Sequence, residues 1–195
     1  MVNKRAIPLL VVDAAAGLLR DARQLPSPNF DARPPGAGLS LIIVHGISLP
    51  PGEYGGPWID KLFLNQLPPA AHPYFEQVAA LKVSSHLLVR RDGEIVQYVS
   101  FNDRAWHAGR SRFEGREACN DFSIGIELEG TDDQAYTDRQ YVKLAAVVRS
   151  LCRAYPTLHP QRVVGHSDVA PGRKTDPGGA FDWPRIRAMI GAPKP

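Results

Sequence analysis

The chain of 195 residues has only two cysteines, Cys119 and Cys152, and neither stands in a CxxC pair. That is too few for a disulfide framework, and both read as reduced structural thiols. No stretch approaches the roughly 18 uncharged apolar residues that a spanning helix needs, which excludes a transmembrane protein. Nor is there a tract of one charge: 23 Lys and Arg stand against 20 Asp and Glu, a net charge of +3, and the basic residues are dispersed among the acids. A nucleic-acid binder would need a basic face, so that class falls away, while a mildly basic surface suits a small polycarboxylate ligand. Internal repeats, low-complexity tracts and linkers are also missing, and the chain reads as one domain over 1–195 with its core at about 25–190.

The N-terminus has the outline of an export signal, with Lys4 and Arg5 ahead of IPLLVVDAAAGLL. Asp13 interrupts the apolar region, and Arg20, Asp21 and Arg23 follow without a small-residue cleavage site, so the segment reads as a first strand or helix of the mature protein. Cytoplasmic residence, a monomer and no membrane partner are expected.

What the chain has in excess is turn chemistry: 17 glycines and 18 prolines, well above ordinary usage, predict long irregular loops in which function often resides. Between them lie short regular elements. LSLIIVH, Leu39 to His45, reads as a buried strand ending on its histidine, followed by a Pro/Gly loop over Ile47 to Pro57. Helical spacing marks Trp58 to Asn65 and Ala71 to Leu81. SHLLVRRDGEIVQYVS reads as a hairpin, with Asp92-Gly93 as a type I′ turn. FSIGIELEG alternates, placing Phe122, Ile124, Ile126 and Leu128 on one face and Ser123, Gly125, Glu127 and Glu129 on the other. Thr137 and Gln140 form a capping box for a long helix through Tyr155. RVVGH reads as a short strand ending at His166, SDVAPGRKTDPGGAF as irregular, and Asp182 as the cap of a last helix through Ile190. Mixed strands and helices predict an α/β (α+β) sheet domain.

Two histidines, His45 and His166, fall at strand C-termini, where sites are built on sheets, and Asp176 follows ten residues after His166. Two imidazoles and a carboxylate suit Zn²⁺ and leave a fourth position for water. On spacing alone the set stands beside a plainer reading of hydrogen-bonded histidines, because no HEXXH helix is present. Glu127 adds a carboxylate opposite the apolar side of its strand, with a solvated strand face as the alternative. Lys174 adds a cation two residues before Asp176, with an ordinary exposed lysine as the alternative. Lewis acid, proton acceptor and oxyanion stabiliser are the parts that amide hydrolysis requires.

The segments LIIVHGISLPPGEYGGPWID, SHLLVRRDGEIVQYV, RAWHAG, CNDFSIGIELEGTD and GHSDVAPGRKTDPGGAFDW closely resemble the cytoplasmic 1,6-anhydro-N-acetylmuramyl-L-alanine amidases of the AmpD type. The resemblance runs from about Leu25 to the last helix, and extends more distantly to the fold shared with peptidoglycan-recognition proteins and phage amidase lysozymes. It implies a central mixed sheet flanked by helices, with His45, His166 and Asp176 as zinc ligands, Glu127 as the catalytic carboxylate and Lys174 as the transition-state cation. It also implies a small anhydro-muropeptide substrate, cut between N-acetylmuramic acid and L-alanine during cell-wall recycling, and a link to β-lactamase induction. The chain departs from the pattern at Gly46, where Asn is expected, and at Lys82 and Ala118, where Arg is frequent. These positions bear on the peptide stem, since a planar arginine fork binds a carboxylate in two-pronged fashion and lysine does not. Lys82, Trp106 and Arg116, the last standing in for the charge lost at Ala118, are the expected substrate contacts. His107 is expected only to shape the cleft; His72, His86 and His159 are read as structural. The alternatives are an envelope amidase acting on non-anhydro muropeptides or intact wall, and a binding module that senses fragments without cutting.

Overall fold

The computed structural model describes residues 7–191; Lys4 and Arg5 lie outside them. Six strands make the central sheet: β1 (Arg23–Gln24), β2 (Leu41–Ile47), β3 (Leu87–Val89), β4 (Ile95–Gln97), β5 (Ser123–Glu129) and β6 (Val163–Gly165), in the order β6-β2-β5-β3-β4-β1. Only the β3/β4 hairpin is antiparallel; every other neighbouring pair is parallel. The helices are α1 (Trp58–Phe63), α2 (Phe75–Val78), α3 (Asp138–Ala154), α4 (His166–Val169) and α5 (Trp183–Ile190). This is the mixed sheet with flanking helices that the sequence predicts.

Side-chain alternation divides the core. Ile42 and Val44 of β2 and Ile124, Ile126 and Leu128 of β5 pack with Leu144, Val148 and Leu151 of α3 and Ile186 and Ile190 of α5. The opposite face carries Leu41 and Ile43, which pack with Ala108, Cys119, Phe122 and Val169. Every residue of β5 is buried, as a strand in the middle of a parallel sheet must be, and each fully buried Leu or Ile contributes about 1.5–3 kcal/mol. The α3 start is the capping box expected at Thr137 and Gln140, and Asp182 caps α5 through the Arg185 amide.

Several elements differ from expectation. β2 continues two residues beyond His45, because its pairing with β5 is complete through Ile47↔Glu129. The helix expected over 71–81 shrinks to α2 behind a 3₁₀ turn at Pro69–Ala71, since His72 is extended ahead of Pro73, as residues before proline usually are. The hairpin turn is not type I′. Gly93 has φ of +90° while Asp92 stays at negative φ, and the Gly93 amide bonds the Arg90 carbonyl while the Arg90 amide bonds the Glu94 carbonyl. That is a three-residue loop closed by a glycine bulge. β6 stops at Gly165, so His166 opens α4 instead of closing a strand, and the stretch expected to be irregular begins with that helical turn.

Candidate active site

Parallel register builds the site. His45 of β2 pairs with Glu127 of β5, and Gly165 of β6 pairs with Val44, so His166, His45 and Glu127 form a row across the C-terminal ends of three adjacent strands. Aligned residues of neighbouring parallel strands share a face, and the ends of such strands are where open sheets bind ligands. The loop after α4 returns the fourth member: the Asp176 carbonyl accepts from the Ser167 amide, and the Tyr136 hydroxyl donates to the Pro177 carbonyl at 2.9 Å.

The two Nδ1 atoms of His45 and His166 lie 3.0 Å apart, and Asp176 Oδ2 stands 3.3 Å from the first and 3.1 Å from the second. Among the described residues, no other set of His, Cys, Asp or Glu converges in this way. Ligands held at about 2.0–2.1 Å around a tetrahedral zinc ion lie about 3.3 Å from one another, so this triangle fits three corners of that polyhedron. His166 Nε2 sits 3.3 Å from the Ala108 carbonyl, an acceptor only, which leaves Nδ1 as the bare nitrogen facing the centre. Burial pushes the His45 ring down to about 4, and it is neutral. Burial alone would raise the Asp176 carboxyl, but the adjoining His166 and His45 outweigh it and hold that group well below the usual carboxylate range. Two imidazoles and a carboxylate are a donor set for a divalent cation.

Glu127 is 8% exposed, and its Oε2 has no hydrogen-bond partner. The alternative of a solvated strand face therefore fails: the residue is buried and lines a cavity, with Oε2 unengaged. Burial first, then the Asp176 charge, push its pKa well up, and the Lys174 ammonium opposes them. The cleft above holds about 500 Å³ and is lined by His45, His107, Glu127, His166, Lys174 and Asp176, with Leu49, Tyr74 and Trp106 among its apolar walls. All five residues expected to do chemistry meet here.

The expected substrate contacts divide. Trp106 lines the cleft, its indole N–H tied to Asp31 at 3.2 Å. Lys82 and Arg116 are exposed outside the lining, and Arg116 lies over the Phe122 ring at 3.9 Å. Gly46 has a local reason: a Cβ there would collide with the Tyr136 hydroxyl. Two contributors had no signal of their own in the sequence reading: Tyr136, which holds the Asp176–Pro177 segment, and Asn120, whose Oδ1 accepts from the His107 and Ala108 amides. His107, expected to shape the cleft, lines it and also meets His45; the sign of that closer role is Gly125, because a glycine inside a β-rich strand marks a close approach, and here a Cβ would strike the His107 imidazole.

A mixed sheet with a His/His/carboxylate cluster and a buried carboxyl group at its strand ends is an arrangement suited to a hydrolase. The comparisons make the class particular. The N-acetylmuramoyl-L-alanine amidase family matches residues 35–179, and the chain belongs to that family. It is 62% identical over 174 residues to the 1,6-anhydro-N-acetylmuramyl-L-alanine amidase AmpD of Salmonella typhimurium (strain SL1344), covering 89% of this chain and 92% of that protein. A crystal structure of a selenomethionine AmpD derivative superposes with a TM-score of 0.89 at 58% identity, covering 93% of this chain and 99% of that one. AmpDh3 of Pseudomonas aeruginosa in complex with anhydromuramic pentapeptide superposes at 0.61 with 26% identity, covering 82% and 63%.

Proposed function

We propose that this chain, as a single amidase domain, hydrolyses the amide bond between 1,6-anhydro-N-acetylmuramic acid and the L-alanine of a stem peptide, in the recycling of cell-wall fragments. The observation that carries the reading is the unpartnered Glu127 oxygen beside three converging metal-type donors at the floor of an open cleft. The high identity to AmpD proteins supports the anhydro-sugar substrate. Residence in the cytoplasm, with the accompanying link to β-lactamase induction, is part of the same proposal.

His45 Nδ1, His166 Nδ1 and Asp176 Oδ2 would hold a zinc ion, whose chemistry there is Lewis acidity toward the carbonyl and a lowered pKa for water. Glu127 accepts the proton of the attacking water as its oxygen adds to the lactyl carbonyl carbon. The Lys174 ammonium faces the oxyanion that develops on that carbonyl. As the carbon–nitrogen bond breaks, Glu127 returns the proton to the leaving α-amine of alanine, which departs as a neutral amine. Trp106 and Leu49 exclude water from the apolar flanks of the bond.

Mass spectrometry of anhydro-N-acetylmuramyl-tripeptide and its non-anhydro counterpart tests this. Each is incubated with protein as purified, after chelation, and after zinc is restored. Peptide release that needs zinc and is faster from the anhydro substrate is the expected result. Equal rates on the two substrates would replace the proposal with a general wall amidase, and no release in any condition would replace it with a binding module.

A further inference from the structure

The orientation of His45 is determined three residues away from its own ring. Its Nε2 lies 3.0 Å from His107 Nδ1, with the two rings at right angles. The other nitrogen of His107 is 3.3 Å from Ser123 Oγ, and Ser123 Oγ is 2.6 Å from the Cys119 carbonyl. A backbone carbonyl can only accept, so the direction of the whole chain follows from its far end. Ser123 donates to Cys119; its oxygen therefore accepts from His107 Nε2–H; His107 Nδ1 is then bare and accepts from His45 Nε2–H. The His45 proton is thereby held on the outer nitrogen, and Nδ1 is left bare toward His166 and Asp176.

The seat for this ring is built from both sides. Gly125, between Ser123 and Glu127 on the same strand face, leaves the volume that the imidazole fills. Asn120 Oδ1 pins the His107 and Ala108 amides at 3.3 and 2.8 Å, and the Ala108 carbonyl is the group that faces His166 Nε2. Two consecutive residues thus address the outer nitrogens of both histidines of the cluster.

We propose that His107 is a positioning residue for the candidate metal centre, holding His45 in the Nε2–H tautomer through the relay His45–His107–Ser123–Cys119. The inference rests on the reading of His45 as a metal ligand. Outer partners of ligand histidines raise metal affinity by fixing tautomer and ring orientation, and their loss typically costs about 10–100-fold.

Two measurements on the full chain test it. Nitrogen-detected NMR of the zinc-loaded wild type reads the imidazole tautomers and the coupling across the His45–His107 hydrogen bond; protonation of His45 at Nε2 and of His107 at Nε2 is expected. Chelator competition then gives zinc affinity for His107→Phe and His107→Asn. Phenylalanine fills the seat without an acceptor and is expected to weaken zinc binding by about 10–100-fold. Asparagine carries an acceptor at the same side-chain position as Nδ1 and is expected to restore most of that loss. Zinc bound as tightly by the Phe variant as by wild type would overturn the proposal, as would an Asn variant as weak as Phe, or His45 protonated at Nδ1. A wild-type chain that takes up no zinc at all would instead overturn the ligand reading beneath it. The wild-type NMR result stands even if a variant fails to fold.

Discussion

Two carboxylates two residues apart on one strand face, Glu127 and Glu129, have opposite surroundings. Glu129 is 2% exposed and fully engaged: its Oε1 accepts from the Gly55 amide at 2.7 Å and meets Arg90 at 3.5 Å, and its Oε2 accepts from the Arg91 amide at 3.1 Å. Around it lies a cavity of about 540 Å³, similar in size to the cleft of about 500 Å³ at Glu127, lined by Arg23, Arg90, Arg91 and Tyr54. Its cations are already answered: Arg90 by Asp60 and Glu94, Arg23 by the same two acids, and Arg91 by the Tyr54 ring and the Ala135 carbonyl. The first cavity is a clasp that ties the 48–57 loop to the sheet. The cleft at Glu127 contains a carboxyl oxygen with no partner and, beside it, three converging metal-type donors. Of two cavities of similar volume, only this one brings an unpartnered carboxyl oxygen to a His/His/Asp cluster.

The comparison breaks most decisively at the cluster beside Glu127. Asp176→Ala should bring peptide release down to the level of chelated wild type, at least 10²-fold, with zinc content measured by elemental analysis falling in parallel. Activity that survives without metal would remove the distinction between the two carboxylates. On the other side, Glu129→Ala strips a buried acceptor from Arg90 and two backbone amides. It should cost about 2–3 kcal/mol in denaturant unfolding, yet leave kcat of the folded fraction within a few-fold.

Glu127→Gln should do the reverse and stabilise the metal-free protein by about 1 kcal/mol, a rise in Tm of about 2–4 °C. The sign follows from the raised pKa of Glu127 in the folded state. Below the unfolded value of about 4.3 both states are protonated and the contribution is fully present; as pH rises toward the folded pKa, only the unfolded chain releases its proton freely, and stability is lost. The advantage of the glutamine variant should therefore be absent at pH 4 and grow with pH, read from unfolding curves of both proteins across that range. A constant difference would show that Glu127 is not shifted. The smallest effect is expected for Tyr136→Phe, which removes the bond to the Pro177 carbonyl. It should cost about 1 kcal/mol and weaken zinc binding less than His107→Phe does, as competition with the same chelator would show.

Much of this was legible in the sequence where a local rule governs. The alternation of SIGIELE, the Thr137/Gln140 cap and the Asp182 cap depend on neighbours within four residues, and each is realised; Phe122, expected on the face of Ile124, lies before the strand begins and packs with Leu41 and Ile43 on the other side. The convergence of His45, His166 and Asp176 rested on strand ends and a returning loop, and the resemblance named the set that the fold brings together. What was not legible is held by distant partners. The His45–His107 contact spans 62 residues and the His45–His166 contact 121. The clasp on Glu129 joins residues 55, 90, 91 and 129, so no periodicity along β5 separates it from Glu127 two positions earlier. Shorter-range misses have local causes: Pro73 overrode the helical spacing of 71–81, and Gly93 adopted a bulge that the Asp-Gly pair alone does not distinguish from a type I′ turn.

The central claim is that Glu127 moves the proton while His45, His166 and Asp176 hold the metal, and one measurement separates these roles: zinc content and peptide release determined together on Glu127→Gln. One zinc ion per chain with release from anhydro-N-acetylmuramyl-tripeptide reduced about 10²–10⁴-fold is the predicted result. Release at the wild-type rate with zinc bound would contradict it.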